Sequence, residues 1–184
     1  MLEKYLVEHC APTLASLKTA SLFCIKTPAQ ENLQCQLAHW NQQLKEKGLR
    51  LLTLGTCRGR ELIYIYRVSQ LQEDLRRPGV DQFLTAYGYH STDIGDAIQK
   101  LRQRLLQMDG TFPHEIGLFL GYPLGDVMGF IQNGGKNCKC VGNWKVYCDE
   151  CEAVKKFARF QKCREVYTRL WQQGRTVRQL TVAA

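Results

Sequence analysis

Residues 49–67 read LRLLTLGTCRGRELIYIYR. A leucine-rich arm, 49–54, and an arm of β-branched and aromatic residues, 61–68, flank a turn in which Gly55 and Gly59 supply backbone freedom. The pattern predicts a β-hairpin. Strand side chains alternate, so Leu62, Tyr64 and Tyr66 point one way while Ile63, Ile65 and Arg67 point the other. Both faces carry apolar atoms. Such a strand must be covered on both sides, so this arm reads as a central strand and the chain as a sheet layered with helices.

Working outward, Ser21–Ile25 is a short apolar run that reads as a first strand. Thr27 or Pro28 opens a helix over 29–47, in which Leu33, Leu37, Trp40 and Leu44 form one stripe and Gly48 supplies the stop. Before it, residues 1–8 read as a short helix, with a turn fixed by Pro12 and a further turn through Lys18. After the hairpin come two short helices, 69–77 and 80–87. A longer one starts at Thr92 or Asp93, is striped by Ile94, Ala97, Ile98, Leu101 and Leu105, and is stopped by Asp109–Gly110. Ile116–Leu120 is wholly apolar and reads as a buried strand, and Pro123 opens the next helix. Residues 133–143 read as loop and Trp144–Tyr147 as a brief edge strand. Asp149 starts a last helix to about Gly174, striped by Val154, Phe157, Phe160, Cys163, Tyr167, Leu170 and Trp171. The segment 175–184 reads as a frayed tail. The expected fold is α/β: a single domain over 1–184, with a small mixed sheet of four or five short strands flanked by helices.

The length, 184 residues, suits one core. A hydrophobic fraction of 45% excludes a disordered chain. No stretch reaches the ~20 apolar residues that a membrane helix needs. The start, MLEKYLVEHC, has acids at positions 3 and 8 and no long apolar run, so it does not read as a signal peptide. A cytoplasmic protein with no membrane partner is the expectation. The nine cysteines are then reduced thiols rather than a disulfide framework, with Cys24 and Cys35 expected to pack inside. Charge is lopsided: residues 1–135 hold 14 basic and 13 acidic side chains, residues 136–184 hold 11 and 4. A last helix presenting Lys155, Arg159, Lys162, Arg169 and Arg175 would meet nucleic acid or an acidic protein, or simply water.

Three short motifs stand out: Pro113-His114-Glu115, Leu120-Gly121-Tyr122-Pro123 and Trp144-Lys145-Val146-Tyr147. With residues 9–23, HCAPTLASLKTASLF, and the last helix through Cys163, they make the chain resemble an uncharacterised bacterial family, the "domain of unknown function 3793" group. The resemblance covers nearly the whole chain. It implies a cytoplasmic protein, of largely anaerobic bacteria, and no established activity. It does not extend to Cys138, Cys140, Cys148 and Cys151.

Candidate sites follow from chemistry. With 116–120 as a strand, His114 and Leu120 stand about 20 Å apart, so the first two motifs fall at opposite ends. Gly121 and Tyr122 then mark a strand-to-helix turn, the usual place for a small anionic ligand or cofactor. His114 is a candidate acid–base group, with Glu115 pointing away from it. His9 and Cys10 are a candidate base and nucleophile, and Lys18 an anion ligand or a surface lysine laid along apolar neighbours. Arg58 and Arg60 in the hairpin turn suit a phosphate. Cys138, Cys140, Cys148 and Cys151 have spacings that suit zinc, giving a metal-stabilised module as a third reading. The sequence names no reaction.

Overall fold

The computed structural model describes residues 2–26, 30–57, 59–107 and 112–183. The hairpin forms, with β2 (Leu49–Cys57) antiparallel to β3 (Arg60–Arg67), but β2 runs on past residue 54: Gly55 lies in the strand, at a register shift, rather than in the turn. The other side of β3 pairs with β1 (Ala20–Ile25), also antiparallel, with Ala20 opposite Tyr66 and Ile25 opposite Glu61. The order β1-β3-β2 makes β3 central, as its two apolar faces require. A second sheet is a two-stranded ribbon, β4 (Cys140–Val141) with β5 (Lys145–Val146). Five short strands are therefore present, in two sheets that are antiparallel throughout, and the parallel pairings expected of a mixed sheet are absent among the described residues.

Each face of β3 seeds its own core. Ile63 and Ile65 pack with Phe23, Leu49 and Leu51 under α1 (Leu2–Leu14) and α2 (Gln30–Leu44). Leu62, Tyr64 and Tyr66 pack with the apolar sides of α3 (Val68–Leu75), α4 (Val80–Ala86) and α5 (Ile94–Leu106). The caps fall where the sequence puts them. Gly48 ends the helical turn after α2 in the left-handed conformation, and Asp93 accepts a hydrogen bond from Gly95 N at the start of α5. Asp149 caps α8 (Glu150–Gln172) by accepting from Glu152 N. The expected α2 start at Thr27–Pro28 and α5 stop at Asp109–Gly110 lie outside the described residues.

Several expectations change. Ile116–Leu120 is not a strand: α6 (Ile116–Phe119) is a short buried helix. A short apolar run carries no periodicity that separates buried strand from buried helix. Pro12 does not end α1 but lies inside its last turn, after which Leu17 and Lys18 both donate to Pro12 O at 2.9 and 3.1 Å. The strand β4 takes part of the expected loop, and Cys24 and Cys35 are exposed rather than packed. On α8, Ala153 is buried while Val154 is exposed.

Residues 176–183 are not frayed. Thr176 and Gln179 form a reciprocal cap on α9 (Val177–Leu180), and Val177 is buried in the α1–α2 core. Beyond α9, Val182 N donates to Leu14 O at 3.0 Å. The anchor is Arg67, 1% exposed at the end of β3. Its Nε donates to Thr13 O at 2.7 Å, and its Nη2 to Leu14 O at 2.7 Å and Val182 O at 2.8 Å. Burial lowers the guanidinium pKa from its ordinary value. The carbonyls at the C-terminal end of α1 hold the charge, as a helix dipole favours.

Arg67→Leu removes the charged donor from the Thr13, Leu14 and Val182 carbonyls, while Ser16 N and Val182 N still reach Thr13 O and Leu14 O. A hydrogen bond to a charged group contributes about 1.5–3 kcal/mol. The expected outcome is a fall of about 2–5 kcal/mol in stability, read as a lower denaturant midpoint at unchanged slope. Hydrogen exchange should rise first in residues 177–183. Unchanged protection there would show that Arg67 does not hold the tail.

Candidate functional site

The site begins with the helical path from Pro113 to Tyr122. Ile116, Gly117 and Leu118 N–H groups donate back to Pro113, His114 and Glu115 carbonyls, and Tyr122 N donates to Gly117 O at 2.9 Å. A helix advances only about 1.5 Å per residue, so the segment turns back on itself. His114 and Tyr122, expected at opposite ends of a strand, line one cavity. Two buried contacts fix this turn to the rest. Glu115 accepts from Arg104 Nε and from Tyr89 OH at 3.2 Å, and Tyr64 OH, on the central strand, donates to Phe119 O at 2.5 Å. Glu115 thus points away from His114, whose exposed ring packs edge-on against Phe130 at 4.8 Å.

The second wall comes from the ribbon. Asp126 lies in the first turn of α7 (Leu124–Gln132), where a carboxylate suits the helix dipole. It is buried and accepts three hydrogen bonds at 2.8 Å: from Trp144 Nε1 on one oxygen, and from Tyr147 N and Cys148 N on the other. Gly125 and Gly129, four apart on α7, let the ribbon press close: a Cβ at Gly125 would meet Cys148 Sγ at 2.4 Å, and one at Gly129 the Tyr147 ring at 2.5 Å. The indole of Trp144, so held, stacks on Tyr122 at 4.8 Å and meets Phe157 edge-on at 4.6 Å.

Between these walls lies a cavity of about 300 Å³. Tyr122, Trp144, Phe130, Val127 and Ile116 give it an apolar lining, and His114 and Lys145 bring basic groups to it. Lys145 Nζ donates to Gly135 O at 2.7 Å and lies 5.8 Å from the Phe130 ring centre. An ammonium has three donors, so it retains capacity for an anion.

Gly121 faces the other way. It takes φ +76°, and a Cβ there would meet Thr19 Oγ1 at 2.5 Å. Beside it opens a second, polar cleft of about 280 Å³ that Lys18 lines, with Trp144 common to both cavities. Lys18 Nζ sits 5.3 Å from the Tyr122 ring centre. The Leu120–Pro123 bend is therefore open on two sides.

The other candidates stand apart. Cys10 is fully buried, and burial pushes its thiol up to about 12, with Lys18 and a hydrogen bond from Ser21 pulling partly back. Its thiolate is scarce near neutrality. His9 is exposed and its ring stacks on Phe23, so the two are not arranged as base and nucleophile. Arg60 is exposed at the hairpin tip, roughly 23 Å along β3 from Arg67, and Arg58 lies outside the described residues. Cys138 and Cys140 precede the ribbon turn while Cys148 and Cys151 follow it. Among the described residues no group of three or more His, Cys, Asp or Glu side chains could hold a metal ion. Desolvation and nearby carboxylates, Glu150 for Cys140 and Asp126 for Cys148, push those two thiols up. Lys155, Arg159, Lys162, Arg169 and Arg175 are all exposed, with Lys155 paired to Glu152 at 2.7 Å. Among the described residues no helix is long and apolar enough to cross a membrane.

Fold and cavity define a class: helices on both faces of a three-stranded antiparallel sheet, with a ribbon closing a pocket at one end. The chain belongs to a family described as a protein of unknown function (DUF3793), whose model matches residues 6–181. No curated protein and no solved structure matches it.

His114 and Tyr122, candidates from the sequence, both line the cavity, whereas Asp126 and Trp144, the pair that builds its wall, were not among the candidates. A signal was available: an acid in the first turn of a helix between two glycines, and a tryptophan in a strand too short to bury it alone. Asp126→Ala should cost about 2–4 kcal/mol, because three donors lose a charged acceptor. In a Trp40→Phe, Trp171→Phe background the remaining Trp144 emission should shift red as the indole swings into water. Unshifted emission would show that the wall stands without Asp126.

Proposed function

We propose that the protein binds a small anionic ligand with a flat apolar body, in the cavity between α6, α7 and the β4–β5 ribbon. One observation carries this reading. His114 and Tyr122, at the two ends of the turn around α6, and Trp144-Lys145, more than twenty residues further on, each contribute a side chain to the same cavity. A largely apolar pocket with a few polar groups is the usual form of a small-molecule site. The stacked Tyr122 and Trp144 rings offer a surface for a flat ring. Lys145 and His114 are the groups that would meet the negative end. A cytoplasmic setting belongs to the same reading, since exposed thiols at Cys35, Cys148 and Cys151 suit a reducing compartment.

The test uses aromatic carboxylates of increasing size, benzoate, 2-naphthoate and indole-3-acetate, each against its neutral amide, with affinity measured by calorimetry. The acid should bind about tenfold more tightly than the amide, a difference of about 1.4 kcal/mol. Lys145→Met should erase that preference while Tyr122→Leu weakens both forms. Equal affinity for acid and amide in the unaltered protein removes the anionic part of the reading. Absence of saturable binding across the series removes the reading altogether.

A further inference from the structure

The cleft on the far side of the Tyr122–Trp144 stack has a different character. Its lining brings three cations together from three elements: Lys18 after α1, Arg77 after α3 and Lys156 on α8. Ser16, Thr19 and Gln70 add polar groups. The acids present are Glu73 and Asp74, and Asp74 is already occupied: it accepts from Thr19 Oγ1 at 2.5 Å and pairs with Arg77 Nη2 at 2.6 Å. Among the described residues no carboxylate forms an ion pair with Lys18, and no hydrogen-bond acceptor takes its ammonium. Its contact is the face of Tyr122.

Lys18 is a half-buried ammonium with no ion pair among the described residues. In this lining Asp74 is taken by Arg77 and Thr19, and Glu73 is the remaining acid against Lys18 and Lys156, an unfavourable arrangement for a folded chain to keep. Such arrangements concentrate where a ligand completes them. We infer that this cleft is a second binding site, for a phosphate group, with Lys18 as its central ligand and Lys156 and Arg77 at its rim. Phosphate suits the geometry better than a planar carboxylate, because donors approach from the 16–19 loop, from α3 and from α8, and a tetrahedral dianion presents oxygens in all three directions.

The groups facing Lys18 make the site pH-dependent. Burial lowers its pKa to about 8, and Arg164 on α8 adds to the shift, while Cys10 on α1 opposes it. Glu73 and Asp74 line the cleft from α3, Arg77 from the turn after it and Lys156 from α8, and Tyr122 meets Lys18 from the bend before α7. A bound dianion favours the ammonium, so binding near pH 8–9 draws a proton from solvent. Above that range Lys18 is neutral in the free protein and affinity falls.

The experiment titrates the full chain with inorganic phosphate by calorimetry, at pH 7, 8 and 9.5, in two buffers of different ionisation heat. Saturable binding is expected, with proton uptake largest between pH 8 and 9 and affinity dropping about tenfold by pH 9.5, a change of about 1.4 kcal/mol. Lys18→Met should abolish the uptake and flatten the pH dependence, with Lys156→Met giving a smaller loss at unchanged uptake. Glycerol 3-phosphate run in parallel identifies the source: tighter binding than inorganic phosphate points to a phosphate ester, equal binding to the free ion, and either supports the site. Lys145→Met should leave phosphate binding intact, so failure here is separable from failure of the aromatic cavity. Binding that is non-saturable, or identical in Lys18→Met, overturns the proposal.

Discussion

A buried cation at the end of the central strand holds the architecture together. Arg67 is surrounded by protein and its donors go to carbonyls: those of Thr13 and Leu14 at the end of α1, that of Lys47 after α2, and that of Val182 in the last segment. Desolvating a guanidinium is costly, and the cost is offset only if its donors are taken. The arginine therefore forces α1, β3 and the C-terminal segment into one arrangement. Its own N–H donates to Thr19 O at 2.9 Å, which sets the path of the loop carrying Lys18. Whatever the cleft beside that loop binds depends on a contact buried outside it.

A second constraint works from the opposite core. Tyr64 on β3 and Glu115 before α6 fix the short helix against the sheet and α5. Because α6 is helical, the chain doubles back within a few residues and brings His114 beside Tyr122. The ribbon then needs only Asp126 to hold it. One carboxylate takes the Trp144 indole and two ribbon amides, so the aromatic wall is rigid at the position where a flat ligand would rest. Rigid first contacts supported by buried polar partners are what a specific site requires.

The Tyr122–Trp144 stack divides two environments of opposite character. On one side lies an aromatic cavity with basic groups, on the other a polar cleft with a cluster of cations. Trp144 lines both, and Lys18 of the polar cleft lies 5.3 Å from the Tyr122 ring centre, so the two proposed ligands would be neighbours across that stack. The glycines at 125 and 129 let the ribbon lie close on α7, and Gly121 lets the bend lie close on Thr19. The partition is thus clamped from both ends.

The layers are legible in the local pattern of residues. The two apolar faces of 62–67 fixed a central strand covered on both sides, and the stripe at Leu33, Leu37, Trp40 and Leu44 fixed the helix over one of them. Gly48, Asp93 and Asp149 fixed helix ends, because these signals are local and periodic. Only the tertiary structure decided that Ile116–Leu120 is helical, since an apolar run of that length suits either state and its neighbours choose. It likewise decided that the tail docks, because the partner that holds it, Arg67, is more than a hundred residues away and reads in sequence as an ordinary strand-end charge. The cavity follows from both decisions: its residues were legible one by one, but their convergence depends on long-range contacts with no periodicity along the chain.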